Sequence, residues 1–474
     1  MKNNSKKRKI YNSLAYGTIA IACVILSILL VNRLFLPLFN ANTSEWSGTS
    51  EDLAAVILPE TEGDVEKNAA PEAKNEKSAV TEKNSGAETG DNVSLIDDAG
   101  QEGQPDLETN SEGQTGDEPE GKQMTILMVG DILLHTRVED SARREDGSYN
   151  FDAVFENVSD EIMAADLAIV NQEVIMGGTE LKITGYPNFN APYEIGDALI
   201  KAGFDVICHA TNHALDRHEQ GILNTLAFWR KYYPDAGVLG IHDNAQDQNE
   251  IYTFAANGIT VAILNYTYGT NGIQLPEGMP YAVNLLERER ILTDLAKAEE
   301  CADFTIVVPH WGTEYRLTED DRQKMWAKLF LENGADLVLG AHPHVIEPVT
   351  WLTDEATGDR MLVYYSVGNF VNWTGESVAG AAARMVGGMA QVTLTRDEDG
   401  RVSIAEYGVE PIVCHVETGQ DKVTVYRLSD YSQEMADKNE IRLQDAAFSL
   451  EYCRELCEKV WGEIPALENF KNSY

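Results

Sequence analysis

Short runs of apolar and β-branched residues recur from residue 124 onward, and polar side chains follow each of them. The run over 124–129 is followed by Gly130-Asp131, and the run over 165–170 is followed by Asn171-Gln172-Glu173. Such runs, bounded by glycine and polar residues, predict buried strands. Because ligands collect at the carboxyl ends of strands in open α/β sheets, the polar residues at these positions are candidates for a site.

Three further strands have the same design. The run over 204–208 precedes Asn212-His213, the run over 304–309 precedes His310, and the run over 337–339 precedes His342-Pro343-His344. Helical spacing of apolar residues predicts helices over 219–232 and 319–333. The alternation of strand, polar end and helix predicts an α/β domain.

The remaining pattern completes the predicted domain. A hairpin over 251–256 and 259–264 is joined by Asn257-Gly258, a common two-residue turn. A strand is predicted over 362–366, a closing antiparallel pair over 389–395 and 402–407, and helix over 435–461. There is no internal repeat and no glycine-rich phosphate-binding loop of the P-loop or dinucleotide type.

Proline between two histidines makes a specific prediction for the segment after the 337–339 strand. Pro343 fixes its own φ and disfavours helical backbone at His342, so an extended segment is expected. In extended backbone, side chains two positions apart project to the same side, which would let His342 and His344 converge. The alternative is a pair of surface histidines in a turn.

The first part of the chain predicts a membrane anchor. Residues 1–10 form a basic tail, and no charged residue lies between Tyr11 and Asn32. We predict a transmembrane helix over 11–36, with the basic tail in the cytoplasm and the rest of the chain outside the cell. A cleaved signal peptide is the alternative, but the apolar run is long for one and no small-residue cleavage site follows it.

Charge separates an acidic linker from the folded region. Residues 41–122 hold 21 Asp and Glu against 5 Lys and Arg, with almost no aromatic residues, so we predict a disordered tether over 37–122. Of the net charge of −40, the first 40 residues contribute +6 and residues 41–122 contribute −16, which leaves −30 for the remainder. This acidity argues against a nucleic-acid partner and against docking on anionic lipid.

The polar residues at the strand ends form a donor set suited to metal ions. They are Asp131, Glu173, Asn212 with His213, His310, and His342 with His344. Carboxylate, amide oxygen and imidazole together suit Mn, Fe or Zn, and the number of groups predicts two divalent ions. Two such ions can activate water and polarise a phosphoryl or acyl oxygen. The alternative is a buried polar network without metal, which would lack cationic partners for its carboxylates.

These segments together resemble the motif series of the CapA family, the capsule and poly-γ-glutamate biosynthesis proteins. The segments are Gly130-Asp131-Ile132, Asn171-Gln172-Glu173, the stretch from Thr211 to Asp216, the stretch from His310 to Tyr315, the stretch from Gly340 to Val345, and Ser366-Val367-Gly368-Asn369-Phe370. The resemblance implies a calcineurin-like metallophosphoesterase fold, an α/β/β/α sandwich, over 123–414. A C-terminal helical extension over 415–474 would follow it.

The resemblance also assigns roles. It implies six metal ligands, namely Asp131, Glu173, Asn212, His310, His342 and His344. His213 would act as the catalytic acid with Asp216 orienting it, although Asp216 has the alternative of a plain helix cap. Glu314 and Asn369 would support the ligands or contact substrate, or else serve only as turn residues.

Two departures from the metallophosphoesterase pattern leave the function open. That pattern begins Asp-x-His, whereas Leu133 stands two residues after Asp131, and Glu173 replaces the usual bridging Asp. One interpretation is an extracellular metal-dependent hydrolase or transferase acting on an anionic surface polymer such as poly-γ-glutamate. The other is a non-catalytic, anchored subunit that binds polymer within a complex of capsule-synthesis membrane proteins.

Overall fold

The structure is a computed structural model that describes residues 122–373, 375, 378–417 and 422–470. The predicted tail over 1–10, the predicted membrane anchor over 11–36 and all but the last residue of the predicted linker lie outside these ranges. Within the described ranges, no helix has both the length and the apolar character needed to cross a bilayer.

Strands and helices alternate through most of the described chain. The strands are β1 (Gln123–Ile132), β2 (Leu167–Asn171), β3 (Val206–Cys208), β4 (Gly237–Leu239), β5 (Tyr252–Ala256), β6 (Ile259–Thr267), β7 (Phe304–His310), β8 (Leu337–Leu339), β9 (Val349–Thr353), β10 (Arg360–Tyr364), β11 (Asn369–Val371), β12 (Val386–Arg396), β13 (Val402–Glu417) and β14 (Lys422–Arg427). The helices are α1 (Thr136–Ala142), α2 (Asp152–Phe155), α3 (Ser159–Ala164), α4 (Glu194–Ala202), α5 (His218–Tyr232), α6 (Ala245–Asn249), α7 (Arg288–Cys301), α8 (Asp321–Leu331), α9 (Gln433–Lys438) and α10 (Leu450–Trp461).

The strands form two mixed sheets. The first has the order β14-β13-β12-β1-β2-β3-β4, with β11 paired to β1, and the second has the order β5-β6-β7-β8-β10-β9. Strands β1 to β4 run parallel, whereas β12, β13 and β14 are antiparallel additions. The predicted α/β class and the predicted closing antiparallel strands are therefore confirmed.

The second sheet contributes one face to each of two apolar cores. Alternate side chains of its central strands, such as Ile306 and Leu337, join the large core to which β1 and β2 also contribute. Their neighbours Val307 and Val338 instead pack with residues of α7 and α8. This division follows from the two-residue period of a strand, because successive side chains point to opposite faces. The second sheet is thus covered by helices on one face and by the first sheet's core on the other.

The segment after residue 414 differs from the predicted helical extension. Strand β13 continues to Glu417, and β14 pairs with it antiparallel at the edge of the first sheet. Only then do α9 and α10 follow, with Cys453 and Trp461 buried in the large core. The prediction was wrong at the start of this segment because the alternating Val423 and Val425 were not read as a strand. The described part of 415–474 completes the sheet and core.

One buried acid makes the stability of this fold depend on pH. Glu347 is fully buried, and its Oε2 accepts a hydrogen bond of 2.6 Å from Gln323 Nε2. Burial raises the pKa of Glu347 to about 8, and the neighbouring acids Asp320 and Glu319 also act to raise it. The folded state therefore favours the protonated acid, so this stability is present below the ordinary pKa and is lost as the pH rises toward 8.

The variant Glu347→Gln should remove this dependence. We expect it to match the parent chain at pH 5 and to be more stable at pH 9, by on the order of a few kcal/mol. Thermal unfolding of metal-free protein at both pH values measures the difference. Glu355→Gln, at an exposed position, is the control that should change little at either pH. An equal stability difference at pH 5 and pH 9 would contradict this account.

Candidate metal centre

Three polar residues lie side by side at the end of the first sheet. In the register of the strands, Asp131 of β1 pairs with Asn171 of β2 on one side and with Asn369 of β11 on the other. Asn171 Nδ2 donates a hydrogen bond of 2.8 Å to Asp131 Oδ1. The parallel strands thus bring a carboxylate and two amides to one edge, as expected for the carboxyl ends of such strands.

The second sheet supplies three histidines to the same place. His310 ends β7, and its backbone bridges to Ala341 just before His342. The rings of His342 and His310 have centroids 4.7 Å apart, and those of His342 and His344 are 5.6 Å apart. The predicted convergence of these side chains is therefore present in the structure.

The backbone that brings them together is not the predicted one. His342 has φ of 98° and His344 has φ of 59°, so both adopt left-handed backbone and the segment is not extended. The backbone N–H of His342 points at the Asp131 carboxylate, with N–O distances of 3.2 and 3.3 Å. Non-glycine residues rarely adopt this conformation, and those that do cluster at functional sites. Contact with the distant Asp131 accounts for a geometry that proline alone did not predict.

Glu173 lies at the middle of the cluster. Its Oε1 is 3.7 Å from His310 Nε2 and 3.7 Å from His344 Nε2. Ligand atoms of Glu173, His342 and His344 all lie within 4.8 Å of one another, so these three residues form a group that could hold a metal ion. Asp131 joins the group through a 3.2 Å contact between its Oδ2 and His344 Nδ1.

Several polar atoms in this cluster lack hydrogen-bond partners in the described part of the chain and could coordinate a cation. Both carboxylate oxygens of Glu173 and Nδ1 of His342 are buried with no hydrogen-bond partner among the described residues. Burial raises the pKa of Glu173 well above its ordinary value and lowers the pKa of His342 well below it. A buried carboxylate without a donor is costly, and a divalent ion between these groups would remove that cost.

Asn212 reaches the cluster from the loop between β3 and α5. Its Oδ1 lies 2.9 Å from His310 Nε2, while Nδ2 donates a 3.3 Å hydrogen bond to Asn271 Oδ1. Helix α5 begins only at His218, so Asn212 does not cap it. The amide oxygen instead faces His310, one of the predicted ligands.

His213 and Asp216 form a close pair beside the cluster. His213 Nδ1 lies 2.7 Å from Asp216 Oδ2, and the same oxygen accepts a 2.7 Å hydrogen bond from the backbone N–H of Phe189. Both side chains are almost fully buried. Among the described residues no side chain caps α5, so the alternative of Asp216 as a plain helix cap is wrong. The carboxylate instead fixes the orientation of the imidazole.

A cleft opens over the cluster. Its volume is about 640 Å³, a size suited to a small ligand or a few polymer units. The predicted residues Asn212, His213, Glu314, His344 and Asn369 line it, and Glu314 is exposed at its surface. Asn369 Oδ1 contacts His344 Nδ1 at 3.0 Å, so Asn369 supports a predicted ligand, whereas Glu314 faces the space a substrate would enter.

Several residues that contact the cluster or line the cleft were given no role in the sequence-based prediction. Asn171 contacts both Asp131 and, at 3.2 Å, His310 Nδ1, and its position two residues before Glu173 was a signal that could have found it. His135 lines the cleft, and burial together with the nearby His344 and His213 lowers its pKa to about 4. Tyr315 and Arg384 also line the cleft. Arg384 comes from a short 3-10 helix with no local sequence signal.

The fold and site define an α/β protein of two mixed sheets whose strand ends carry a buried carboxylate and imidazole group able to hold a divalent metal. A model of the family described as "Bacterial capsule synthesis protein PGA_cap" matches residues 125–374. This match covers more than half of the chain, and the chain belongs to that family of bacterial capsule synthesis proteins. The resemblance to the CapA family is confirmed.

Two relatives from Bacillus are similar over a comparable share of the chain. The capsule biosynthesis protein CapA of Bacillus anthracis is 29% identical over 267 residues, which are 54% of this chain and 62% of the relative. The PGA biosynthesis protein CapA of Bacillus subtilis (strain 168) is 28% identical over 265 residues, which are 53% of this chain and 64% of the relative. The match therefore spans less than two thirds of the length of either relative.

Solved structures give weaker similarity. A hypothetical protein from Thermus thermophilus superimposes with a TM-score of 0.35 at 15% identity, covering 61% of this chain and 98% of its own. The NAD nucleotidase of Haemophilus influenzae gives a TM-score of 0.37 at 13% identity, covering 73% of this chain and 64% of its own.

Proposed function

We propose that this chain is a membrane-anchored, extracellular, metal-dependent hydrolase or transferase that acts in the synthesis of capsule or poly-γ-glutamate. The observation that carries the proposal is the meeting of Glu173, His342 and His344 at the ends of two sheets, with ligand atoms within 4.8 Å of one another. Both carboxylate oxygens of Glu173 and Nδ1 of His342 have no hydrogen-bond partner among the described residues. Membership of the capsule synthesis family is the reason for proposing a capsule polymer as the substrate. The fold we propose is the metallophosphoesterase-like α/β/β/α sandwich.

The residues that would hold metal are the six at the strand ends. They are Asp131, Glu173, Asn212, His310, His342 and His344. Two divalent ions, Mn, Fe or Zn, would supply Lewis acidity and an activated nucleophile at this place. Asn171 and Asn369 would fix the orientation of Asp131 and His344 through the contacts they already make.

His213 is the residue we assign to proton transfer. It lines the cleft, so its Nε2 can face a substrate while Nδ1 is held by Asp216. With Nδ1 bound to a carboxylate, the imidazole keeps one orientation and can give a proton from Nε2 to a leaving group. Asp216 would stabilise the cationic imidazole before that transfer.

The proposed location and partners follow from the N-terminal sequence and from the family. The predicted helix over 11–36 would anchor the chain in the cell membrane, with the catalytic domain outside. The substrate would be an anionic polymer of the cell surface, and other membrane subunits of capsule synthesis would be the protein partners. The acidic domain gives no reason to propose nucleic acid as a ligand.

One observation favours a second candidate function. Leu133 stands where metallophosphoesterases carry a histidine, and this residue lines the cleft with a side chain that offers no ligand atom. A centre with a weakened metal position would suit a non-catalytic subunit that grips polymer carboxylates through metal. Contact would then be strongest at the centre itself, because the rest of the domain is acidic.

The purified full-length chain tests both functions. With Mn or Zn added, we expect turnover of a γ-linked glutamate oligomer or of a chromogenic phosphodiester, and loss of that turnover with a chelator. Release of product measured against time reports the activity, and metal analysis reports the occupancy. Metal-dependent polymer binding without turnover would support the non-catalytic subunit, and metal-free protein with full turnover would contradict both.

A further inference from the structure

A buried arginine lies on the wall of the cleft beside the candidate metal centre. Arg384 belongs to the short 3-10 helix Ala381–Met385 and lines the cleft, although only 6% of the residue is exposed. Its guanidinium carbon lies 3.6 Å from the centroid of the Tyr315 ring. The aromatic ring restricts the positions that its planar donor group can take.

Two connections fix this arginine relative to the histidine ligands. Asn369 Nδ2 donates to the backbone oxygens of Arg384 at 2.9 Å and of His344 at 3.1 Å. Tyr315 donates its backbone N–H to Pro343 O at 2.7 Å, and its ring centroid lies 5.9 Å from that of His344. The backbone of Arg384 and the tyrosine ring beneath its guanidinium are therefore both tied to the His342–His344 segment.

The charge of the cleft makes this arginine distinctive. Among the described residues that line the cleft, Arg384 is the only lysine or arginine, and the others include five asparagines, three histidines and the acidic Glu314. The sequence beyond residue 122 carries a net charge of −30. A domain of this charge repels an anionic polymer at most of its surface, so a local cation is needed wherever substrate charge is bound.

We propose that Arg384, held against Tyr315, determines specificity by binding an anionic oxygen pair of the substrate next to the group at the metal centre. A carboxylate or a phosphate offers such a pair, and the guanidinium donors can engage both oxygens at once. This inference rests on the proposed function, because it takes the same cleft as the substrate site. It adds the requirement that the bound unit carry a negative charge beside the reacting bond.

Binding measurements on the full-length, Mn-loaded chain test the proposal. The ligands are a γ-linked glutamate trimer, the same trimer with its free side carboxylates as carboxamides, and inorganic phosphate. Isothermal titration should show that Arg384→Gln loses about tenfold or more of the preference for the charged trimer, the loss expected for a charge-assisted hydrogen bond. An equal loss of phosphate affinity would assign the site to either anion, and unchanged phosphate affinity would assign it to the carboxylate.

The matched control is Arg316→Gln. Arg316 follows Tyr315 in the chain and is exposed, but it is not among the described residues that line the cleft. The control variant should keep the parent preference. Because Arg384 is buried, Tyr315→Ala provides a second variant at a half-exposed position, and it should lower the same preference several-fold with unchanged metal content.

The outcomes separate this inference from the proposed function. If the parent chain binds the charged trimer and Arg384→Gln and Tyr315→Ala keep its full preference, the role of Arg384 is overturned while the proposed function stands. If the Mn-loaded parent chain binds neither trimer nor phosphate, the proposed function fails as well. Loss of preference in both variants with normal metal content supports both.

Discussion

Glu173→Gln should lose metal and at the same time gain stability in the absence of metal. Both oxygens of Glu173 are buried without a hydrogen-bond donor among the described residues, so the carboxylate destabilises the metal-free fold and favours the metal-loaded one. Glutamine removes the charge and one of the two oxygen ligands. We expect metal affinity to fall well beyond the roughly 10–100-fold that is typical of residues which only support a ligand.

Metal analysis after dialysis and thermal unfolding with and without metal measure the two effects. Added metal should stabilise the parent chain, by roughly 2.7 kcal/mol at a concentration one hundred times the dissociation constant, and should leave the variant almost unchanged. Glu300→Gln is the control, because Glu300 is exposed on α7 and the substitution removes the same charge. Retention of metal by Glu173→Gln would remove Glu173 from the ligand set and weaken the proposal of a metal centre.

His213→Ala should abolish most turnover while leaving the metal in place. The imidazole lines the cleft and is oriented by Asp216, so under the proposed function its loss would remove a general acid and no metal ligand. General acid catalysis by a positioned side chain contributes about 10²–10⁴-fold, and a fall of that size in kcat is expected. Asp216→Asn should lower kcat less, because the imidazole remains but its orientation and its cationic form lose support.

The rates of these variants are compared at equal metal content. His218→Asn is a suitable control: His218 is exposed, lies five positions from His213, and has a left-handed φ of 50° that asparagine tolerates. It should keep the parent rate. Unchanged turnover in His213→Ala would assign proton transfer elsewhere, and the cleft residue His135 would be the next candidate to test.

The sequence predicted the strand ends of the site well because they depend on local pattern. Each apolar run that ends in Asp131 or His310 can be predicted as a strand from its own sequence. Because parallel strands place their carboxyl ends at the same edge of a sheet, these residues are then expected to lie close together. The helix over 219–232 matches α5 to within one residue, and the hairpin turn at Asn257-Gly258 joins β5 to β6 antiparallel. These features need no knowledge of distant contacts.

The rest of the site depends on contacts between distant segments, which a local pattern does not contain. The left-handed backbone at His342 accompanies a contact with Asp131, which lies 211 positions earlier. Asn171 supports Asp131 only because the register of β1 and β2 places the two side by side. Arg384 is brought to the cleft by a short 3-10 helix, and Asn369 donates a hydrogen bond to its backbone oxygen. Register and long-range hydrogen bonds decide these positions.

The place of β1 within the first sheet has a consequence for how metal would enter. Strand β1 pairs with β2, β11 and β12, and its residues from Leu127 onward are buried. Amides so enclosed exchange with solvent deuterium only when the whole domain opens. If Asp131 is a metal ligand as proposed, it would keep its position after chelation, and an ion returning to the centre would bind without the entropic cost of ordering that strand.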